Sequence, residues 1–147
     1  MSETKIKTLT NSLHKAESWI DEVQTKLQWE DENEAYTAMK AVLHALRDRL
    51  SVDENAHITA QMPLVIRGIY FEGWKPSTTP IKIRHVENFL DLVCAHASDN
   101  PCVIDEVDTV TRAVLEVLMS HISQGSIEKL KLGWPKALQT IWPDSPF

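Results

Sequence analysis

Apolar residues recur along the first third of the chain with the spacing of an α-helix. From Leu9 to Leu27, and again from Tyr36 to Leu50, they follow one another at steps of three or four residues. Such steps place the apolar side chains in one stripe along one helical face. The pattern predicts two amphipathic helices, with stripes formed by Leu9, Leu13, Ala16, Ile20, Val23 and Leu27 in the first and by Tyr36, Met39, Leu43, Leu46 and Leu50 in the second.

Signals for β-structure are weak. No segment alternates apolar and polar residues for more than a few positions, and the whole chain contains only four glycines. A half-buried strand needs that alternation, and strands are usually bounded by clusters of turn residues. We therefore predict an all-α fold.

Short strings recur at a constant offset. Lys40-Ala41-Val42-Leu43 returns as Arg112-Ala113-Val114-Leu115, 72 residues later, and the register holds until Tyr70 falls on Trp142. Upstream the offset is 70, which predicts a loop around residues 98–101 in the second copy. Such self-similarity indicates an internal repeat. We predict one compact domain over residues 1–147, made of two tandem repeats of about 70 residues around a pseudo-twofold axis, with repeat 1 at about 6–73, a linker at about 74–79 and repeat 2 at about 80–143.

Each repeat is predicted to contain two long helices and a third segment that a proline divides. Pro63 and Pro135 occupy the same repeat position. Proline costs about 3 kcal/mol inside a helix but is favourable in the first turn, so each is expected to open a last short helix. Thr79-Pro80 has the same form, and we expect it to begin the first helix of repeat 2.

Other residues mark helix ends and contacts. Asp31 and Ser51 are each followed three residues later by glutamate, which is the spacing of a capping box. Gly73 is expected to end a helix in the left-handed conformation. Gly68 lies inside a predicted helix, where glycine is unfavourable, so we expect another helix to approach closely there.

Three strings carry a resemblance to a known family. They are AYTAMKAVLHALRDRL at 35–50, AQMPLVIRGIYFEGW at 60–74 and TRAVLEVL at 111–118. They resemble an uncharacterised bacterial family, domain of unknown function 2267, and the similarity runs from about Trp19 to Trp142. The chain departs from the family pattern at Gly133-Trp134-Pro135, where an aliphatic residue is expected before the proline. The resemblance implies a duplicated all-helical domain and supplies no catalytic residues.

Charge and composition exclude several classes of protein. The chain has 15 Lys plus Arg against 21 Asp plus Glu, a net charge of −6, so we expect no general affinity for nucleic acid or for anionic lipid. No apolar stretch approaches the roughly 20 residues of a membrane helix, and the first residues lack a secretory signal. Two cysteines are too few for an oxidised scaffold. We expect a cytoplasmic protein.

Candidate chemistry is sparse. Cys94, His96 and Cys102 could ligate zinc, but structural zinc needs four ligands, and no CxxC or HxxxH spacing occurs. Cys94 and His96 are also a poor nucleophile and base pair, because residues two apart on a helix point in different directions. We expect no metal, no cofactor and no enzymatic activity. The other histidines are predicted mostly to face solvent, namely His14, His44, His57, His85 and His121.

The stretch from Arg67 to His85, which joins the two repeats, is the most suggestive region. It holds four cations and one carboxylate, and arginine with aromatic residues is the composition of binding hot spots. A purely structural junction is the alternative, because Tyr70 matches Trp142 and both then pack in the core. The candidate surface consists of Arg67, Tyr70, Phe71, Trp74, Lys75, Arg84 and His85.

Two functions are open for this surface. The first is a non-enzymatic module that binds an unknown protein partner or a second copy of the chain. The second is a protein that binds a small ligand or an anion in the groove between the repeats, with charge from Arg67, Lys75, Arg84 and His85.

Overall fold

The computed structural model describes residues 6–144. Within that range the chain forms nine α-helices, a short 3-10 helix at Pro76–Thr78 and no strand, which confirms the all-α prediction. The helices are α1 (Lys7–Leu27), α2 (Glu32–Arg49), α3 (Val52–Thr59), α4 (Leu64–Phe71), α5 (Val86–His96), α6 (Pro101–Asp105), α7 (Val107–His121), α8 (Gln124–Leu132) and α9 (Lys136–Gln139).

Helix α2 lies at the centre of the molecule. It packs against α1, α4, α5, α6 and α7. Every residue from Ala41 to Asp48 is buried, so this stretch has no solvent-facing side. A helix that is buried all round must satisfy its polar side chains within the protein, and α2 carries three of them there, His44, Arg47 and Asp48.

The predicted stripe of α1 is wrong in its first two turns. Leu9 and Leu13 remain 43% and 48% exposed, and the buried face there is centred on Ser12 instead. The Ser12 hydroxyl accepts the N–H of Val65 at 3.0 Å, which fixes that face of α1 against α4. Because each helical residue turns by about 100°, Leu13 points well away from this contact.

Most predicted helix ends are confirmed. Ser51 and Glu54 form both hydrogen bonds of a capping box at the start of α3. The Asp31 side chain caps α2, and Gly73 adopts a φ of +74° after α4. Pro63 and Pro135 are the N-cap residues of α4 and α9.

The predicted start of the next helix at Thr79-Pro80 is wrong. This peptide bond is cis, the chain stays non-helical through residues 79–85, and α5 begins only at Val86. The segment is extended because its backbone bonds to α2 and not to itself. The Ile81 N–H donates to the carbonyl of Asp48 at 2.7 Å, and Arg49 Nε donates to the carbonyl of Ile83 at 3.0 Å.

The expected close approach at Gly68 is also wrong. A Cβ atom placed on Gly68 would meet no heavy atom within 4 Å, leaving aside its own helix backbone and chain neighbours. No steric reason therefore requires glycine at this position.

The loop predicted around residues 98–101 is present between α5 and α6. It occupies residues 97–100, and Ser98 and Asp99 adopt φ values of +51° and +59°. The N-cap of α6 is Asn100, whose side chain accepts the N–H of Val103. Among the residues that the structure describes, no helix is both long and apolar enough to cross a membrane.

Candidate functional site

The residues of the predicted surface do not lie in one place. Tyr70 is not on the surface at all: it is fully buried, and its hydroxyl donates to the amide oxygen of Asn55. Burial raises the pKa of Tyr70, so the phenol remains protonated. Arg67 is half-buried and donates to the carbonyls of Thr59 and Met62, which gives it a capping role at the end of α3.

Of the two other aromatic residues of that surface, Phe71 packs on Tyr70 and Trp74 packs on Phe71. The ring of Phe71 lies 5.1 Å from that of Tyr70 and 5.0 Å from that of Trp74. The indole N–H of Trp74 is sealed from solvent without a hydrogen-bond partner. Lys75 is exposed and precedes the 3-10 helix. This part of the junction is a packed aromatic corner.

Arg84 and His85 lie at the other end of the junction. Both are exposed, and His85 is the N-cap residue of α5 without a side-chain cap. Of the four residues proposed for an anion site in the sequence analysis, only Arg84 lines a groove there; Arg67, Lys75 and His85 do not line it.

That groove has a volume of about 350 Å³, within the range of small-molecule sites. Its walls are Arg49 at the end of α2, the extended residues 80–84, and residues 133–135 between α8 and α9. We call it the cationic groove, because Arg49, Lys82 and Arg84 all line it.

The local conformation explains how these cations reach the groove. In an extended chain, successive side chains point to opposite sides, so Ile81 and Ile83 turn inward while Lys82 and Arg84 stay exposed. Arg49 is held from two directions. Its Nε donates to the carbonyl of Ile83, and its guanidinium lies 5.3 Å from the ring centre of Trp134.

The charge in the cationic groove is only partly compensated. Burial lowers the pKa of Arg49; the nearby Glu54 opposes this shift, and the nearby Arg84 adds to it. Within residues 6–144, no ion pair with a carboxylate is formed by Arg49, Lys82 or Arg84. An anion in the groove would relieve the repulsion between the two guanidinium groups.

Besides the cationic groove, a cluster of polar side chains that the sequence did not predict lies inside the molecule. Asp48 accepts hydrogen bonds from Arg47 Nε at 2.9 Å and from His96 Nε2 at 2.8 Å. The ring of His44 packs edge-on to that of His96, and its Nε2 donates to the carbonyl of Ile69 at 2.7 Å. The expectation that His44 faces solvent is wrong, because α2 is buried on all sides at this level.

The pKa values of this group follow from burial and from its hydrogen bonds. Burial alone would raise the pKa of Asp48, but the hydrogen bonds from His96 and Arg47 lower it below its ordinary value. Burial lowers the pKa of His44, and the positive charge of Arg47 adds to that shift. The cluster therefore contains a charged Asp48, which accepts hydrogen bonds from Arg47 and His96, and the neutral imidazole of His44.

The candidate zinc residues are used differently. His96 donates to Asp48, Cys94 is a half-buried free thiol, and Cys102 is an exposed free thiol on α6. In the described part of the chain, no group of three or more His, Cys, Asp or Glu side chains could hold a metal ion.

Fold and groove together define an all-helical domain with a ligand-sized basic groove. The family described as "Uncharacterized conserved protein (DUF2267)" matches residues 16–141 of the chain. The protein belongs to this family, as the resemblance at 35–50, 60–74 and 111–118 indicated. No curated protein matches the chain.

Proposed function

We propose that this protein is a non-catalytic binding protein whose cationic groove takes a small phosphate-bearing ligand. One observation carries the proposal: Arg49, Lys82 and Arg84 converge on a groove of about 350 Å³ and none has a carboxylate partner in residues 6–144. Surface cations in a protein of net charge −6 have many carboxylates available. Three neighbouring cations that form no ion pair in the described structure therefore favour the binding of an anion from outside the protein.

The donors suit phosphate. A guanidinium group offers two parallel N–H donors to a phosphate, which makes arginine the preferred residue for such recognition. Arg49 uses Nε for the carbonyl of Ile83, so both Nη groups stay without a partner in the described structure. Its position over Trp134 limits its rotation, which lowers the entropy lost when a ligand binds.

Isothermal titration calorimetry with pyrophosphate tests the cationic groove. We expect Arg84→Glu and Lys82→Glu each to weaken pyrophosphate binding at least about tenfold, because a hydrogen bond to a charged group is worth roughly 1.5–3 kcal/mol. The affinity of the unchanged protein should fall as the salt concentration rises.

Lys75→Glu is the matched control for these variants. Lys75 is an exposed cation of the same junction that does not line the groove, and its replacement changes the net charge by the same amount. We expect less than a twofold change in its pyrophosphate affinity. An equal loss in Lys75→Glu and Arg84→Glu would assign binding to the overall charge and would contradict the groove.

The absence of catalysis is part of the proposal. Burial raises the pKa of Cys94, and Asp91 adds to the shift, so this side chain is a thiol and a weak nucleophile. The nearby His96 donates to Asp48 and not to Cys94.

Self-association is the second candidate function. Leu9 and Leu13 on α1 and Leu64 on α4 are 43%, 48% and 51% exposed, and the bond between Ser12 and Val65 brings these parts of the two helices together. Exposed apolar patches often mark protein interfaces. Sedimentation velocity tests this candidate: a dimer that Leu13→Glu converts to monomer supports it, and a monomer at all concentrations contradicts it.

We further propose that the chain is an internal duplication. Four pairs of residues at an offset of 72 support it by having the same local role. Ser51 and Ser123 cap α3 and α8, Pro63 and Pro135 precede α4 and α9, Ile66 and Leu138 are buried, and Tyr70 and Trp142 are buried.

A further inference from the structure

A second cavity lies on the side of α1 away from Leu9 and Leu13. It has a volume of about 440 Å³, opens to solvent, and is bounded by α1, by the turn between α3 and α4, and by the end of α7. Its lining residues are Lys15, Ser18, Trp19, Ala60, Gln61, Met62, Pro63 and His121. None of them lines the cationic groove, so the two sites are separate.

The cavity carries hydrogen-bond donors without partners. Ser18 and Trp19 follow Lys15 by three and four residues, so both share one side of α1 with it. In the described structure the Lys15 ammonium forms no ion pair and the Trp19 indole N–H donates to no acceptor.

Trp19 is 97% buried, since its exposed fraction is 3%. The unpaired indole nitrogens of Trp74, Trp134 and Trp142 are sealed inside the protein, whereas that of Trp19 is not among the sealed ones. A buried side chain that keeps an accessible, unpaired donor at a cavity wall is a feature of a binding site.

Two wall residues of this cavity, His121 and Gln61, are held by contacts with other elements. The ring of His121 stacks on Trp19, with ring centres 4.5 Å apart and planes 16° apart, and His121 Nε2 donates to Glu22. Gln61 is held at both ends of its amide, because Nε2 donates to Ser126 Oγ and Oε1 accepts the N–H of Ser123, each at 2.9 Å.

We propose that this cavity binds a small monocarboxylate with an apolar body. The carboxylate accepts hydrogen bonds from the Lys15 ammonium and the Trp19 indole N–H. The body lies against Met62 and Pro63, which are the apolar part of the opposite wall. One cation and one neutral donor match a single negative charge, whereas the three cations of the groove match the higher charge of a phosphate.

NMR of the uniformly ¹⁵N-labelled protein tests this site with benzoate as the probe. The chain has five tryptophans, so five indole resonances are expected, and Trp19→Phe assigns the one from Trp19. We expect benzoate to shift that resonance downfield in a saturable way, because the indole N–H gains a charged acceptor. Sodium chloride at equal ionic strength should leave it in place.

Variants separate this site from its surroundings. Lys15→Met should weaken benzoate binding at least about tenfold, the value of one hydrogen bond to a charged group. Lys7→Met, which removes an exposed lysine of the same helix outside the cavity, should change it less than twofold. Trp19→Phe keeps an aromatic ring and removes the donor, so calorimetry should show the same loss as Lys15→Met.

Any of three outcomes overturns the proposal. The first is a Trp19 indole resonance that benzoate does not move, and the second is an equal loss of affinity in Lys7→Met and Lys15→Met. The cationic groove is tested independently, because Arg84→Glu should leave the benzoate shift at Trp19 unchanged. Loss of the benzoate shift in Arg84→Glu would place the carboxylate in the groove and also overturn the proposal.

Discussion

Two side chains of α2 complete the hydrogen bonding at the end of α4. The last carbonyls of a helix have no partner within it. Here His44 donates to the carbonyl of Ile69, while Arg47 Nη1 donates to those of Tyr70 and Glu72 at 3.2 and 2.8 Å. The burial of His44 and Arg47 is thus compensated, because both side chains donate to backbone carbonyls at the end of α4.

His44 makes stability depend on pH. Its pKa is lowered in the folded protein, chiefly by burial, and Arg47, His96 and Lys40 are the cations or titratable groups that face it. A lowered pKa means that the unfolded chain binds the proton more readily. The contribution is therefore fully present above about pH 6.5 and is lost as the pH falls through the folded pKa.

Urea denaturation between pH 7.5 and about pH 5 measures this effect. We expect the free energy of unfolding to fall below about pH 6.5, by at most about 1.4 kcal/mol per pH unit for one proton. His44→Gln, which can still donate to Ile69, should flatten the curve. Asp48 does not interfere, because its lowered pKa acts only near and below pH 3.8. An unchanged slope in His44→Gln, or the same flattening in the exposed His14→Gln, would contradict the assignment.

Arg47 should be the costliest polar residue to remove. Arg47→Met leaves Asp48 with one fewer donor and removes the donor to the carbonyls of Tyr70 and Glu72, so we expect a loss of about 3–5 kcal/mol in the free energy of unfolding. Lys40→Met is the control, since Lys40 reaches Glu72 by a surface ion pair, which solvent screens so that it adds little to stability. Similar losses in chemical denaturation of the two variants would show that Arg47 is not a structural centre.

At the scale of single elements, α1 differs from its sequence pattern in a measurable way. Val23 is fully buried, so Val23→Ala should lower the free energy of unfolding by about 2 kcal/mol through lost burial and a cavity. Leu13→Gln should change it by less than about 0.5 kcal/mol, because Leu13 is half-exposed. Thermal and urea denaturation of both variants measure these losses. A loss from Leu13→Gln as large as that from Val23→Ala would show that Leu13 is buried, as the sequence pattern predicts.

Local signals predicted the helices and most of their ends, but not the extended segment at 79–85. Periodicity and caps act within a few residues, as at Ser51 with Glu54. The extended segment is held by bonds from Ile81 to Asp48 and from Arg49 to Ile83, which span more than thirty residues of sequence. The cationic groove is not predicted from the sequence for the same reason. The sequence marks Arg84 as a candidate, whereas Arg49 lies inside a helical pattern and is brought to the groove only by folding.

At the scale of the whole molecule, the two halves of the chain share one core. Helix α2 of the first half packs against α5 and α7 of the second, and α1 packs against α7. Fully buried side chains from both halves, such as Leu46 and Phe89, belong to the same apolar cluster. Neither half could bury its own apolar face alone, because the other half covers it.

Cutting the chain within the 3-10 helix at Pro76–Thr78 tests this interdependence. A protease site inserted there lies in an exposed segment outside the core, so cleavage should leave the two fragments associated, with one cooperative unfolding transition. Each fragment purified alone should lack the near-ultraviolet circular dichroism of packed tryptophans, and mixing the fragments should restore it. Fragments that fold alone and unfold independently would contradict one shared core. They would show that each half of the chain is a separate domain.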